Sequence, residues 1–154
     1  MFRNKKEQIS FGLFFCYLNL LYWVGMIKAV IFDLFGLFVG VQDQSQKDQL
    51  VDLAQQVKLK GAQVFILSNY FEDSFPFLSE ITDKCYFSFQ TGFVKPDEQA
   101  YQLVLNENNL KAEECLYFDD SSTNVAAAAE LGIRSYLFES AEKTQQILKE
   151  LKVI

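Results

Sequence analysis

The run KAVIFD at residues 28–33 decides how the rest of this chain reads. Its interior is apolar and β-branched without polar alternation, the pattern of a short strand covered on both faces of a parallel sheet, and it ends abruptly in a carboxylate. The same design recurs four times. AQVFIL (62–67) stops before Ser68 and Asn69, CYFSF (85–89) is followed by Lys95, CLYF (115–118) runs into Asp119 and Asp120, and SYLF occupies 135–138. Helical patterns lie between these runs. Leu50, Leu53, Ala54 and Val57 recur at i, i+3, i+4, i+7, with Asp43 or Ser45 as N-cap and Gly61 as stop. Pro96 is placed at a first helical position, with Tyr101, Val104 and Leu105 following on one face. The alanine-rich stretch 125–131 ends at Gly132, and Ile147, Leu148 and Leu151 mark a last helix. Five strands alternating with four helices predict an α/β fold: a doubly wound, three-layer, Rossmann-like parallel sheet with right-handed crossovers.

Composition narrows the chemistry. The 154 residues contain no histidine, which excludes a Ser-His-Asp triad, a Cys-His dyad and His-ligated zinc or haem. Cys16, Cys85 and Cys115 are odd in number and far apart, so they build neither a disulfide framework nor a zinc ribbon. A reducing, cytoplasmic setting is expected. The net charge of -6 argues against nucleic acid as a partner, because that grip needs clustered Lys and Arg.

Residues 1–25 differ from the rest. Arg3, Lys5 and Lys6 precede the uncharged run ISFGLFFCYLNLLYWVG (9–25). Three readings compete: a signal lacking a small-residue cleavage site, a membrane anchor with Tyr22 and Trp23 at the interface, and an upstream start with the protein beginning at Met26. The third is preferred, so residues 26–154 are taken as one domain and a membrane partner is expected only if 9–25 is a true anchor. Without the leader the chain carries 11 basic against 19 acidic residues, a more acidic domain than the whole suggests.

In doubly wound sheets ligands bind beyond the carboxyl ends of the strands, so the residues closing each apolar run carry the function. Here they are Asp33, Ser68-Asn69, Lys95 and Asp119-Asp120. Adjacent carboxylates repel by ~4 kcal/mol at about 4 Å and an effective dielectric of 20. A divalent cation relieves that repulsion, and oxygen-only donors select a hard ion such as Mg²⁺. A lysine beside them neutralises a phosphoryl oxygen or holds a carboxylate ionised, and Ser68 can donate to the same group.

FDLFGLF (32–38), ILSNY (66–70), GFVKPD (92–97) and YFDDSSTNVAAAAELGI (117–133) together resemble the four ordered motifs of the haloacid dehalogenase-like hydrolase superfamily. The resemblance implies Asp33 as nucleophile forming an aspartyl-phosphate, Ser68, Asn69 and Lys95 holding the phosphoryl group, and Mg²⁺ held by Asp33, the Phe35 backbone carbonyl and Asp119 or Asp120. It implies a phosphorylated substrate and a phosphatase-type hydrolase.

Two positions depart from that pattern. Phosphatases of the superfamily place a general acid/base aspartate two residues after the nucleophile, where this chain has Phe35; loss of a positioned acid costs ~10²–10⁴-fold. Leu37 replaces the usual threonine. Phe35 resembles the aromatic residue of the dehalogenases, which need no proton for a leaving halide, whereas the Asp119-Asp120 pair favours metal and phosphate. The 35 positions from Asp33 to Ser68 and the 27 from Ser68 to Lys95 leave no room for a cap domain, so an open site is expected, with a second copy of the chain as one possible cover. A slow phosphatase and a binding protein on the same fold both fit these departures. A phospho-accepting receiver domain fits less well, because there the acidic pair opens the series and here it closes it.

Plainer roles compete at several positions. Asp33 could cap a turn, Ser68-Asn69 could be an ordinary turn, Lys95 a solvated loop lysine, and one of Asp120 to Thr123 the N-cap of the next helix, with Asn124 suited to either role. Phe75 and Phe77 beside Pro76, with Phe71, could be core, partner surface or a substitute lid. Tyr86, Phe87 and Phe89 are expected to pack on the sheet.

Overall fold

A computed structural model describes residues 26–70 and 75–154. The expectations for residues 1–25 and for Phe71 lie outside them. Five strands form one parallel sheet: β1 (Ala29–Phe32), β2 (Gln63–Ser68), β3 (Lys84–Phe87), β4 (Cys115–Asp119) and β5 (Arg134–Leu137), in the order β3-β2-β1-β4-β5. The order reverses between β1 and β4, which creates the crevice where such sheets take ligands.

Helices α1 (Gln44–Leu59) and α6 (Ala141–Glu150) cover one face, and α4 (Glu98–Glu107) with α5 (Ser122–Glu130) cover the other. The period-2 geometry of strands sorts the apolar runs between them. Val30, Phe32, Val64, Ile66, Leu116 and Phe118 pack beneath α1 and α6, while Ala29, Ile31, Phe65, Leu67, Cys115 and Tyr117 pack beneath α4 and α5. Covering on both faces explains why the central runs show no polar alternation.

The helix boundaries follow local signals. Asp43 caps α1, its Oδ1 accepting from Ser45 N at 2.9 Å, and the chain turns at Gly61 with φ +92°. Ser121 caps α5 and Ser140 caps α6. Two short helices, α2 (Leu78–Ile81) and α3 (Ser88–Thr91), and a 3₁₀ turn at Ala112–Glu114 add to the four expected helices.

Three local expectations need correction. Phe89 is not a strand residue: β2 ends at Ser68, paired with Phe87, so no ladder remains for the chain beyond Phe87. It turns into α3, leaving Phe89 half-exposed with its ring 5.8 Å from that of Phe87. Pro96 is not the first residue of α4. It sits in a tight turn in which Asp97 N donates to Val94 O at 2.8 Å, and the helix starts two residues later. Strands β3 and β5 are edges, and β5 is only half-buried along its length. Phe75 and Phe77 pack against the α1 side of the core. Among the described residues no helix is long and apolar enough to cross a membrane.

Candidate active site

Asp33 follows β1 and Asp119 closes β4. Because Phe32 pairs with Phe118, the two carboxylates leave adjacent strands at the same level, and Asp33 N donates to Phe118 O at 2.9 Å. Ser68 closes β2 on the other side of β1. The turn at residues 94–97 aims Lys95 inward, and Asn69 clamps it: Lys95 N donates to Asn69 Oδ1 at 2.9 Å and Asn69 Nδ2 donates to Lys95 O at 2.8 Å.

The plainer alternative for Lys95, a solvated loop lysine, does not hold, since Lys95 is 4% exposed. Its Nζ donates to Asp33 Oδ1 at 2.8 Å and to Asp119 Oδ2 at 2.7 Å. Burial raises the Asp33 carboxyl above its ordinary value; Lys95 opposes this and Asp119 adds to it. One ammonium therefore serves two buried acids.

The acidic pair divides into unlike members. Asp119 is fully buried, and its oxygens accept from Lys95, the Tyr117 hydroxyl, Asn124 Nδ2 at 3.1 and 3.2 Å, and Ser121 N at 2.7 Å. Asp120 is exposed, and its carboxyl is raised by partial burial and by Asp119. Asp120 also leans on Gly36, where an added Cβ would lie 2.1 Å from its Oδ2. Gly36, at φ +86°, belongs to the tight turn after β1 in which Gly36 N donates to Val39 O at 2.7 Å.

Carboxylate oxygens of Asp33, Asp119 and Asp120 lie within 4.8 Å of one another. Three carboxylates face one ammonium, so the donor set is hard, all-oxygen and negative in excess, which fits a divalent cation such as magnesium. Beside it opens a cleft of about 240 Å³. Asp33, Ser68, Asn69, Lys95 and Asn124 line its polar side, and Phe35 and Tyr70 its apolar side. A larger hollow of about 470 Å³ between α2 and β3 has no charged side chain in its lining and lies apart from this chemistry.

Ser68 is buried at the cleft, its Oγ accepting from Tyr70 N at 3.1 Å. Phe35 is 48% exposed and stacks on Tyr70, ring centroids 5.4 Å apart at 18°. All the residues singled out from the strand ends thus converge. Tyr117, Tyr70 and Gly36 were not anticipated as site residues. Tyr117 had a readable signal: two positions before Asp119 on one strand, it must share that residue's face.

The site is thus a lysine-bridged carboxylate pair at the switch point of a doubly wound parallel sheet. Residues 26–132 match the family of haloacid dehalogenase-like hydrolases, and the chain belongs to that family. It is 31% identical over 77 residues to the D-ribitol-5-phosphate phosphatase of Bacteroides thetaiotaomicron, covering 50% of this chain and 36% of that protein. It is 28% identical over 129 residues to the flavin mononucleotide hydrolase 1 of Arabidopsis thaliana, covering 79% of this chain and 52% of that one. The chain thus spans about a third and about half of the lengths of these curated relatives. A crystal structure of an uncharacterised protein from Corynebacterium glutamicum superposes with a TM-score of 0.72 at 26% identity, covering 82% of this chain and 96% of that one.

Proposed function

We propose that this protein is a magnesium-dependent phosphohydrolase acting through an aspartyl-phosphate on Asp33, slowed by Phe35 in place of a general acid. The observation that carries the reading is the Lys95 bridge between Asp33 and Asp119, with Asp33 and Lys95 lining the cleft. The ammonium opposes protonation of a nucleophile that burial would otherwise neutralise, and it sits where a phosphoryl oxygen arrives. Ser68 and Asn69 lie on the same wall and supply donors to the other equatorial oxygens.

Asp33 and Asp120, the Phe35 backbone carbonyl, and Asp119 behind them would hold the metal. Magnesium there would neutralise charge on the transferring phosphoryl group. Asp119 also fixes Lys95 and the start of α5. The connection from β1 to β2 contains only the tight turn and α1, so the cleft is open on that side, and a second copy of the chain is one candidate to cover it. The two free cysteines among the described residues accord with a reducing, cytoplasmic setting.

The test is release of phosphate from a generic aryl phosphate with and without Mg²⁺, alongside a beryllofluoride adduct on Asp33. Mg²⁺-dependent turnover abolished by Asp33→Asn is the expected result. Absence of turnover, adduct and magnesium affinity together would leave a binding protein on a hydrolase fold.

A further inference from the structure

The missing acid constrains what the cleft can cleave, if Asp33 is the nucleophile as proposed above. When a carboxylate oxygen attacks phosphorus, the bond to the leaving oxygen breaks and that oxygen takes the electron pair. An alkoxide is nearly as basic as hydroxide and needs a proton as it departs. A phenolate, whose conjugate acid has a pKa of about 10 or lower, departs without one.

Beyond the Tyr70 hydroxyl, the described residues of the cleft offer little to supply such a proton. Phe35 fills the position beside Asp33 with a benzyl group, and Ser68, Asn69 and Asn124 carry no acid. Lys95 has a proton to give, but its side chain is 1% exposed between Asp33 and Asp119, and releasing it would leave buried carboxylates uncompensated. The apolar side of the cleft has its own shape. Phe35 stacks on Tyr70 with ring centroids 5.4 Å apart, so the two rings form an aromatic ledge along one wall of the cleft. Such a ledge suits a flat apolar ring better than a polyol.

We propose that the cleft selects phosphate monoesters of phenol-type hydroxyls on flat aromatic groups, with the leaving oxygen departing as the anion over the Phe35–Tyr70 ledge. Asp33 bonds to phosphorus as the aryl–oxygen bond to phosphorus breaks, and the phenolate carries off the pair or takes a proton from solvent. Water then attacks the phosphorus of the aspartyl-phosphate, returning the Asp33 carboxylate and releasing phosphate with the water's protons.

The experiment compares 4-nitrophenyl, phenyl, benzyl and glycerol 3-phosphates with the full chain and Mg²⁺. Benzyl phosphate keeps the ring but has an alkoxide leaving group, so it separates ring binding from leaving-group chemistry. The expected kcat/KM falls from 4-nitrophenyl to phenyl and by a further ~10²-fold or more to benzyl and glycerol phosphates. Phe35→Asp removes part of the ledge for both ring substrates but should raise the ratio of benzyl to 4-nitrophenyl phosphate kcat/KM by ~10²–10⁴-fold. Benzyl or glycerol phosphate within ~10-fold of phenyl phosphate, with Asp33 still required, would overturn the selectivity while leaving the phosphohydrolase reading intact. A shallow dependence that steepens in Tyr70→Phe would assign the acid to Tyr70 and overturn it also. No turnover of any ester and no beryllofluoride adduct would remove both readings.

Discussion

The Lys95 ammonium donates to Asp119 Oδ2 at 2.7 Å, with the lysine side chain 1% exposed and the carboxylate 0%. A bridge this deep is worth little relative to an apolar replacement of both partners, but removing one partner leaves a charge stranded. Lys95→Met strands two, Asp33 and Asp119. The expected loss is ~3–5 kcal/mol by urea denaturation in EDTA, and Asp119→Asn added to Lys95→Met should recover part of it. Equal stability of Lys95→Met and the native chain would contradict the buried bridge.

Asp33 gives a prediction with a definite sign in pH. Burial, ahead of every other influence, raises its carboxyl above the ordinary value. The folded chain then holds a proton at a pH where the unfolded chain has lost it, so stability from this group is present below the unfolded value and lost as pH rises through the folded one. Asp33→Asn removes that loss. In EDTA near neutral pH the variant should melt ~2–4 °C higher than the native chain, and the difference should shrink below about pH 4. A variant less stable than native at neutral pH would show that the Lys95 bridge outweighs the burial.

Tyr117 is a buried support for Asp119, its hydroxyl donating to Oδ2 and its ring set edge-on to Tyr101 at 5.6 Å. Burial and the neighbouring Asp119 hold the phenol protonated by raising its pKa. Tyr117→Phe keeps the ring and deletes the donor. Hydrogen bonds to charged groups contribute ~1.5–3 kcal/mol, so a loss of that size is expected in urea denaturation, with the near-ultraviolet spectrum otherwise native-like.

Gly36 is tested through magnesium. Alanine there would hold φ at +86° and push its Cβ into the Asp120 carboxylate, displacing that group from the acidic cluster. Calorimetric titration should show Mg²⁺ affinity weakened by ~10–100-fold in Gly36→Ala. Gly61→Ala is the control: φ is +92°, yet nothing lies within 4 Å of the added Cβ. It should lose ~1–2 kcal/mol of stability to backbone strain alone and bind magnesium like the native chain.

The sequence by itself determined the existence of five strands, the burial of the three central ones and the polar residues near their ends, because these are local properties. Uninterrupted apolar runs demand cover on both faces, and a polar residue at the end of such a run must emerge at the sheet's edge. Asp33, Ser68, Asp119 and Asp120 were legible for that reason, and Lys95 as the lysine a few residues beyond the third run. Tertiary structure decided what they do to one another. Lys95 follows β3 at one edge yet bridges β1 and β4, a reach set by the strand order. The same order gives Asp119 to the interior and Asp120 to solvent, a division two adjacent letters cannot express. It ends the ladder at Phe87, turning Phe89 outward, and it brings Tyr70, two residues beyond β2, onto Phe35, three residues beyond β1. Identity and period fix which face a residue takes along its own strand; who meets it across the sheet depends on which strands become neighbours, and that is settled by the packing of the whole chain.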